Sequence, residues 1–205
     1  MPISMNELQQ MAASTYKQNP LKKIGNFILF RRTPTLNFFL DDRTIVVAVR
    51  GTEKTSQEDI KADALALMGS LYLSERYQRD LHLLKEVQSV YPMSKYLYIG
   101  VGHSLGGAII DDFLRAKLLN SALSYNALPQ PQDLGGNPLH RRIYHEDDFI
   151  YQSIAKRIPN IEVRRSKESF WKTLTKYAIP FNSFFNSLDK HRLDTFEGGY
   201  SIPLG

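Results

Sequence analysis

A glycine-rich turn at residues 102–107 constrains this chain more than any other feature, because the segments on its two sides have different periodicities. Residues 95–101 form a short apolar run that favours a β-strand. Residues 108–119 then resume an apolar pattern with the spacing of a helix. A strand that passes into a helix through a tight turn is the building unit of sheets whose strands run mostly parallel.

The rest of the chain shows the same alternation of strands and helices. Ser4 and Glu7 have the spacing of a capping box, which predicts an opening helix over 4–17. We expect further helices over 58–68 (a helix or a lid), 74–91 and 148–157, and strands near 26–31, 36–40, 44–49, 122–126, 141–145 and 161–165. These elements predict an α/β fold with a central, mostly parallel sheet covered by helices on both faces. A length of 205 residues suits one domain over 1–205.

Residues 102–106 read Gly-His-Ser-Leu-Gly and fit the G-x-S-x-G nucleophile turn of α/β-hydrolases. In such a turn the Ser104 hydroxyl projects above the sheet edge from a strained backbone, and a Cβ at Gly102 or Gly106 would collide with neighbouring chain. The helix that follows directs its first amides at the serine, so the Leu105 N–H is an expected oxyanion donor. The motif predicts that Ser104 is the nucleophile of a serine hydrolase.

A serine in this turn needs a base, and in α/β-hydrolases an acid and then a histidine follow it along the chain. His82 and His103 are excluded because they precede Ser104 in the chain. His140 and His145 are excluded because they lie within a few residues of the candidate acids. His191, which lies 87 residues after Ser104 in a polar stretch, is the remaining candidate.

The acid is expected where a late strand reaches the active-site edge of the sheet. Asp147 and Asp148 follow the predicted strand 141–145, and spacing alone does not choose between them. Asp133 is a weaker candidate in a loop rich in Pro and Gln. Two further aspartates lie on the helix that leads away from the serine: Asp111 and Asp112.

The second oxyanion donor is expected from the loop after an earlier central strand. Strand 44–49 ends at Arg50-Gly51-Thr52, where Thr52 offers both an amide and a hydroxyl. The sequence thus places candidates for both halves of an oxyanion hole, Thr52 and Leu105.

Composition excludes several other kinds of chemistry. The chain has no Cys, so disulfides, thiolate metal sites and a cysteine nucleophile are excluded. A serine hydrolase of the kind that the motif predicts needs no metal or organic cofactor. We find no basic segment followed by an apolar one at the N-terminus, and no apolar run long enough to cross a membrane. These features favour a cytoplasmic protein without a signal peptide or transmembrane segment.

The segments that carry these candidates resemble the class 3 (fungal-type) lipases over roughly residues 40–150. The matching features are the strand ending in Arg50-Gly51-Thr52, a later Asp63, a helix ending in Tyr91-Pro92, and Gly-His-Ser-Leu-Gly-Gly-Ala at 102–108. The resemblance implies that Thr52 is an oxyanion-hole residue. It also favours Asp148 over Asp147 as the acid, because 142–148 is similar to the family's Arg-x-x-His-x-Asn-Asp segment.

The chain departs from the family pattern at two positions. Ile60 replaces a tryptophan often found before Asp63, and Tyr151 stands where the family usually has a proline. His191 with Phe196 loosely resembles the family's His-x-x-x-aromatic setting. Residues 123–131 and 142–144 resemble lipase-like proteins encoded by large DNA viruses, and this resemblance implies a virion-associated protein as the alternative to a cytoplasmic one.

The expected reaction is hydrolysis of a lipid carboxylic ester, as in a triacylglycerol lipase or phospholipase. Residues 141–192 hold 11 Lys/Arg against 6 Asp/Glu, and this basic excess favours contact with anionic surfaces. The aromatic stretch 170–188 within them is typical of a protein core or, less often, of a surface that lies on an anionic membrane. Residues 62–73 are a second apolar candidate for a lid or an acyl groove. The alternatives are a non-catalytic lipase-like module that binds lipid or protein, and a thioesterase-type acyl hydrolase. No nucleic-acid recognition motif is present, so no nucleic-acid partner is expected.

Overall fold

The computed structural model describes residues 3–52, 57–146, 148–153 and 155–164. The α-helices within these ranges are α1 Met5–Ser14, α2 Gln57–Leu67, α3 Glu75–Val90, α4 Leu105–Arg115 and α5 Phe149–Ser153. The strands are β1 Lys23–Ile24, β2 Phe27–Arg32, β3 Leu36–Asp41, β4 Thr44–Val49, β5 Leu97–His103, β6 Ser121–Tyr125, β7 His140–His145 and β8 Ile161–Arg164. Short 3₁₀ turns lie at Leu71–Leu73, Pro131–Gly135 and Ala155–Arg157.

All eight of these strands form one sheet, and their spatial order is their chain order from β1 to β8. The first three pairings, from β1 to β4, are antiparallel. The remaining four, from β4 to β8, are parallel. The carboxyl ends of β4, β5, β6 and β7 therefore meet along one edge, and the loops that follow them are neighbours there.

Helices cover both faces of the sheet, as the alternation of elements predicts. On one face α1 buries Leu8 and Met11 against Val46, Ala48 and Val101. On the other face α2, α3 and α4 pack against the sheet. Their buried side chains form a larger core together with every second residue of β3 and β4. Because strand side chains alternate between faces, neighbouring residues of β3 and β4 serve different cores. This arrangement is an α/β-hydrolase-like fold.

Two helix ends show how far local sequence determines the boundaries. The predicted capping box is present at α1, where Ser4 Oγ accepts from the Glu7 amide and the Glu7 carboxylate accepts from the Ser4 amide. In contrast, α4 ends four residues before the predicted boundary at 119. Lys117 adopts a φ of 58°, and the Leu118 amide donates to the Phe113 carbonyl, which closes the helix in a Schellman-type turn.

None of the helices in the described ranges has the length and apolar character that crossing a bilayer requires.

Candidate active site

Ser104 lies in the turn between β5 and α4 with a φ of 56° and a ψ of −125°. This left-handed conformation is costly for a residue with a Cβ and is maintained only when the surrounding structure fixes it. Here the Ser104 amide donates to the Tyr125 carbonyl at the end of β6 (3.1 Å), and the Ser104 carbonyl accepts from Leu128 (3.0 Å). These two bonds hold the turn between β5 and α4 against the end of β6 and the chain that follows it.

Close backbone contacts explain the two glycines of the motif. A Cβ at Gly102 would lie 2.5 Å from the Gly106 backbone, and a Cβ at Gly106 would lie 2.2 Å from the Val49 carbonyl oxygen. Neither contact can be relieved by rotating a side chain, because the colliding atoms are backbone. The prediction that a side chain at either position would collide is confirmed.

The helix α4 begins at Leu105, directly after the serine. The first amides of an α-helix have no partner within the helix, and the helix dipole makes this end favourable for negative charge. Leu105 is the first residue of α4, and its N–H belongs to this first turn of the helix, directly after Ser104 in the chain. An oxyanion formed at this serine would lie at a helix N-terminus.

The loop Arg50–Thr52 lies beside this turn, at the carboxyl end of β4. One peptide unit of the loop is held at both ends: the Arg50 carbonyl accepts from Arg76 (2.7 Å), and the Gly51 amide donates to the Tyr16 hydroxyl (2.9 Å). Arg76 is fully buried and also binds Asp59 of α2 and Asp80 of α3. The loop is thereby tied to α1, α2 and α3.

Thr52 is bound through its side chain to α2. Its hydroxyl donates to the Asp63 carboxylate, with 2.8 and 2.9 Å to the two oxygens. In this arrangement the hydroxyl proton is directed at Asp63, so the amide is the donor that Thr52 offers to a ligand. Asp63 itself is 4% exposed, which makes the bond a buried connection between the loop and α2.

Asp148 lies three residues beyond the end of β7 and is 7% exposed. Its Oδ1 atom accepts from the amides of Ile150 (2.9 Å) and Tyr151 (3.3 Å), so the carboxylate caps the N-terminus of α5. These bonds fix the orientation of the carboxylate. One strand, β6, separates β5 from β7, so the chain positions of Ser104 and Asp148 lie about 10 Å apart in the sheet direction.

The sheet therefore brings four of the predicted residues to one edge: Thr52, Ser104, Leu105 and Asp148. His191, Asp147 and the aromatic stretch 170–188 lie outside the described residues. Among the residues that are described, no group of three or more His, Asp or Glu side chains is arranged to hold a metal ion.

A second Ser–His–Asp set, which the sequence reasoning missed, lies in the core. His140 Nε2 is 2.9 Å from Ser124 Oγ, and its Nδ1 is 2.7 Å from Asp111 Oδ1. Ser124 is 0% exposed and Asp111 1%. Since no substrate can reach a serine enclosed in this way, the set is a structural network between α4, β6 and β7.

Two arginines complete that network. Arg142 and Arg115 both bind Asp111 and Asp133 at 2.6–2.8 Å. Burial lowers the pKa of His140, which keeps its ring neutral, while bonds from His140 and Arg142 hold the pKa of Asp111 below its usual value in spite of burial. Asp133, the weaker candidate acid, is engaged here. Asp111 and Arg115 are an i,i+4 pair on α4, but the other contacts of the network join residues 9 to 31 positions apart, which no local pattern in the sequence signals.

Comparison with known proteins gives resemblances to fungal lipases. A Rhizomucor miehei triacylglyceride lipase is 17% identical, with 80% of this chain and 79% of that chain covered and a TM-score of 0.45. A fungal lipase–inhibitor complex gives 17% identity, 74% of each chain and a TM-score of 0.49. An MDLA N225Q mutant from Penicillium cyclopium gives 20% identity, 82% and 83% coverage and a TM-score of 0.47. No protein-family model and no curated protein matches the chain. The fold assignment rests on the chain's own sheet and on its β5–turn–α4 unit.

Proposed function

We propose that this protein is a serine ester hydrolase that cleaves carboxylic esters of lipids, with Ser104 as its nucleophile. The observation that carries the proposal is the backbone of Ser104, whose φ of 56° lies between a parallel strand and a helix N-terminus. This strain has no use in a binding module, because a glycine would make the same turn at lower cost. It does serve a hydroxyl that must project above the sheet edge.

The reaction begins when Ser104 Oγ attacks the ester carbonyl carbon. His191 takes the serine proton, and Asp148 orients the imidazole and stabilises its charged form. The tetrahedral intermediate then breaks the bond to the leaving alcohol, which receives the proton from His191, and an acyl-enzyme remains. Water then attacks the acyl-enzyme with the same residues in the same roles, and the carboxylic acid is released.

Two features of the described residues support this assignment of the partners. Asp148 follows β7 and His191 follows β8 in the chain, which is the order in which α/β-hydrolases supply the acid and the base. The spacing of about 10 Å between the positions of Ser104 and Asp148 leaves room for one imidazole with a hydrogen bond on each side.

The negative charge on the carbonyl oxygen is assigned to two amides. Leu105 N–H lies at the start of α4, and Thr52 N–H follows the peptide that Arg76 and Tyr16 hold. Donors that are already aligned before the reaction cost no reorganisation when charge develops, which is the main source of their effect.

A lipid substrate is favoured by the surface that follows α2. Within residues 62–73, the side chains of Ala62, Ala66 and Leu71 are buried, but Met68, Tyr72 and Leu73 are 53–65% exposed. An exposed cluster of large apolar side chains is typical of a surface that contacts lipid or protein. We assign it to peripheral contact with a lipid surface, including an anionic membrane.

The experiment that tests the proposal is hydrolysis of p-nitrophenyl esters from acetate to palmitate, with and without anionic phospholipid vesicles. We expect Ser104→Ala to lower kcat on the order of 10⁶-fold. The matched control is Ser89→Ala, which removes an exposed hydroxyl on α3 and leaves the rate unchanged. Equal background rates in wild type and Ser104→Ala would contradict the enzyme proposal and favour a binding module. A rate that falls with longer acyl chains would contradict the lipid substrate and leave the ester hydrolase proposal standing.

A further inference from the structure

The hydroxyl of Tyr16 lies at the junction between the Arg50–Thr52 loop and the Ser104 turn. It accepts a hydrogen bond from the Gly51 amide (2.9 Å) and is 2.9 Å from His103 Nδ1. His103 is the residue that precedes Ser104, and Gly51 precedes Thr52. One phenol oxygen thus contacts the immediate neighbours of two proposed active-site residues.

The contact is close enough to exclude any side chain at position 51. A Cβ on Gly51 would lie 2.4 Å from the Tyr16 hydroxyl, 2.6 Å from the His103 carbonyl and 3.2 Å from Ser104 Cβ. The loop, the phenol and the serine therefore meet at one point. Tyr16 comes from the end of α1, on the opposite face of the sheet from α2 and α3.

The phenol can both donate and accept hydrogen bonds. Although 43% of the residue as a whole is exposed, its hydroxyl binds Gly51 and His103, and burial raises the pKa of Tyr16 above its usual value. The phenol consequently keeps its proton. The oxygen accepts from Gly51, and it donates that proton to His103 Nδ1 in the tautomer whose imidazole proton is on Nε2.

We propose that Tyr16 is a positioning residue that aligns the two oxyanion donors with each other. Arg76 holds the carbonyl of the Arg50–Gly51 peptide and Tyr16 holds its N–H, so this peptide plane has one orientation. The next peptide carries the Thr52 N–H, and its direction follows from the plane before it. Through His103 the same phenol is joined to the turn that carries Ser104 and Leu105. This inference rests on the proposed function.

The test removes the hydroxyl and retains the ring, in Tyr16→Phe. Loss of one buried hydrogen bond that acts only on the transition state lowers kcat between about fivefold and tenfold and leaves KM unchanged. The matched control is Tyr98→Phe, which removes a tyrosine hydroxyl that donates to the Tyr91 carbonyl, at the far end of β5 from Ser104. We expect the control to lose stability and keep kcat.

A second measurement does not depend on activity. The ¹⁵N shifts of His103 in wild type should show an unprotonated Nδ1 that accepts a hydrogen bond, and Tyr16→Phe should lose that signal. Amide hydrogen exchange at Gly51 should become faster in Tyr16→Phe and not in Tyr98→Phe.

The inference is overturned if Tyr16→Phe retains the kcat of Tyr98→Phe, or if the His103 shifts and the Gly51 exchange rate do not change. A wild type that hydrolyses no ester would contradict the proposed function, and the shifts and exchange rates would still decide whether Tyr16 joins the two loops. Loss of kcat with a changed KM and unchanged shifts would mean that Tyr16 contacts the substrate, which also overturns a positioning role.

Discussion

At the scale of single residues, Ser104 combines the proposed nucleophilic side chain with an unfavourable backbone. Its φ of 56° would suit glycine, yet the proposed reaction needs the hydroxyl. Sites of this kind gain stability when function is removed, because the strain serves the reaction and not the fold.

This strain gives a prediction with an unusual sign. We expect Ser104→Gly to unfold with a free energy about 1 kcal/mol higher than Ser104→Ala, since only alanine retains the Cβ. Both variants should lack hydrolysis. Urea unfolding of the two variants measures the difference.

The control is the same pair of substitutions at Lys85, an exposed position in the middle of α3. There the glycine variant should be the less stable one by about 1 kcal/mol, because glycine is a poor helix former. If glycine is the less stable residue at both positions, the backbone of Ser104 is not strained.

The residues of the candidate site differ in how well sequence could predict them. Ser104 and its flanking glycines were predictable, because the turn needs fixed residue types at fixed spacing. Tyr16 was not, since it meets Gly51 across 35 residues and His103 across 87. A tyrosine at the end of a helix is unremarkable until the fold brings those partners to it.

At the scale of elements, Arg76 joins α2, α3 and the loop after β4. Its guanidinium binds Asp59, Asp80 and the Arg50 carbonyl, and all three ionisable side chains are nearly inaccessible to solvent. A buried charge set of this kind is costly to break, because removal of one member leaves the others without compensation.

We therefore expect Arg76→Met to lower the free energy of unfolding by about 3–5 kcal/mol, as measured by urea denaturation. The neighbouring Arg79→Ala should change it by about 0.5 kcal/mol or less, because Arg79 is 44% exposed and lies 3.9 Å from Asp80. A similar loss in both variants would show that the buried network contributes nothing beyond an ordinary surface pair.

Sequence patterns predicted the long elements better than the short ones. The helix α3 was expected over 74–91 and runs from Glu75 to Val90, with Ser74 as its cap, because the pattern and the cap agree. The strand β1 has two residues and no periodicity to detect. The end of α4 depends on Lys117 in a left-handed conformation, which no residue preference predicts for lysine.

At the scale of the whole molecule, stability should depend on pH through Asp112. Burial raises the pKa of Asp112 to about 6, although a hydrogen bond from Gln130 opposes the shift. Between about pH 4 and pH 6 the unfolded chain releases this proton while the folded chain keeps it. The free energy of unfolding contributed by this group therefore falls as pH rises through that window.

Asp112→Asn removes the titration and keeps an oxygen for Gln130. Relative to wild type, the variant should gain on the order of 1 kcal/mol, or about 3 °C in Tm, between pH 4 and pH 8. Thermal unfolding across that range measures it. A difference in Tm that stays constant with pH would mean that Asp112 titrates at its ordinary value.

The strand order also has a consequence for how the molecule is made. Because β1 to β8 lie side by side in chain order, a chain leaving the ribosome can add each new strand to the existing edge, without opening a sheet already formed. Thr52 emerges first, then Ser104, then Asp148, and the proposed base His191 comes last. A nascent chain would hold its serine in a nearly native sheet while still unable to attack an ester. On the proposed mechanism, hydrolysis would begin only after the segment that carries His191 has been made and has reached the sheet edge.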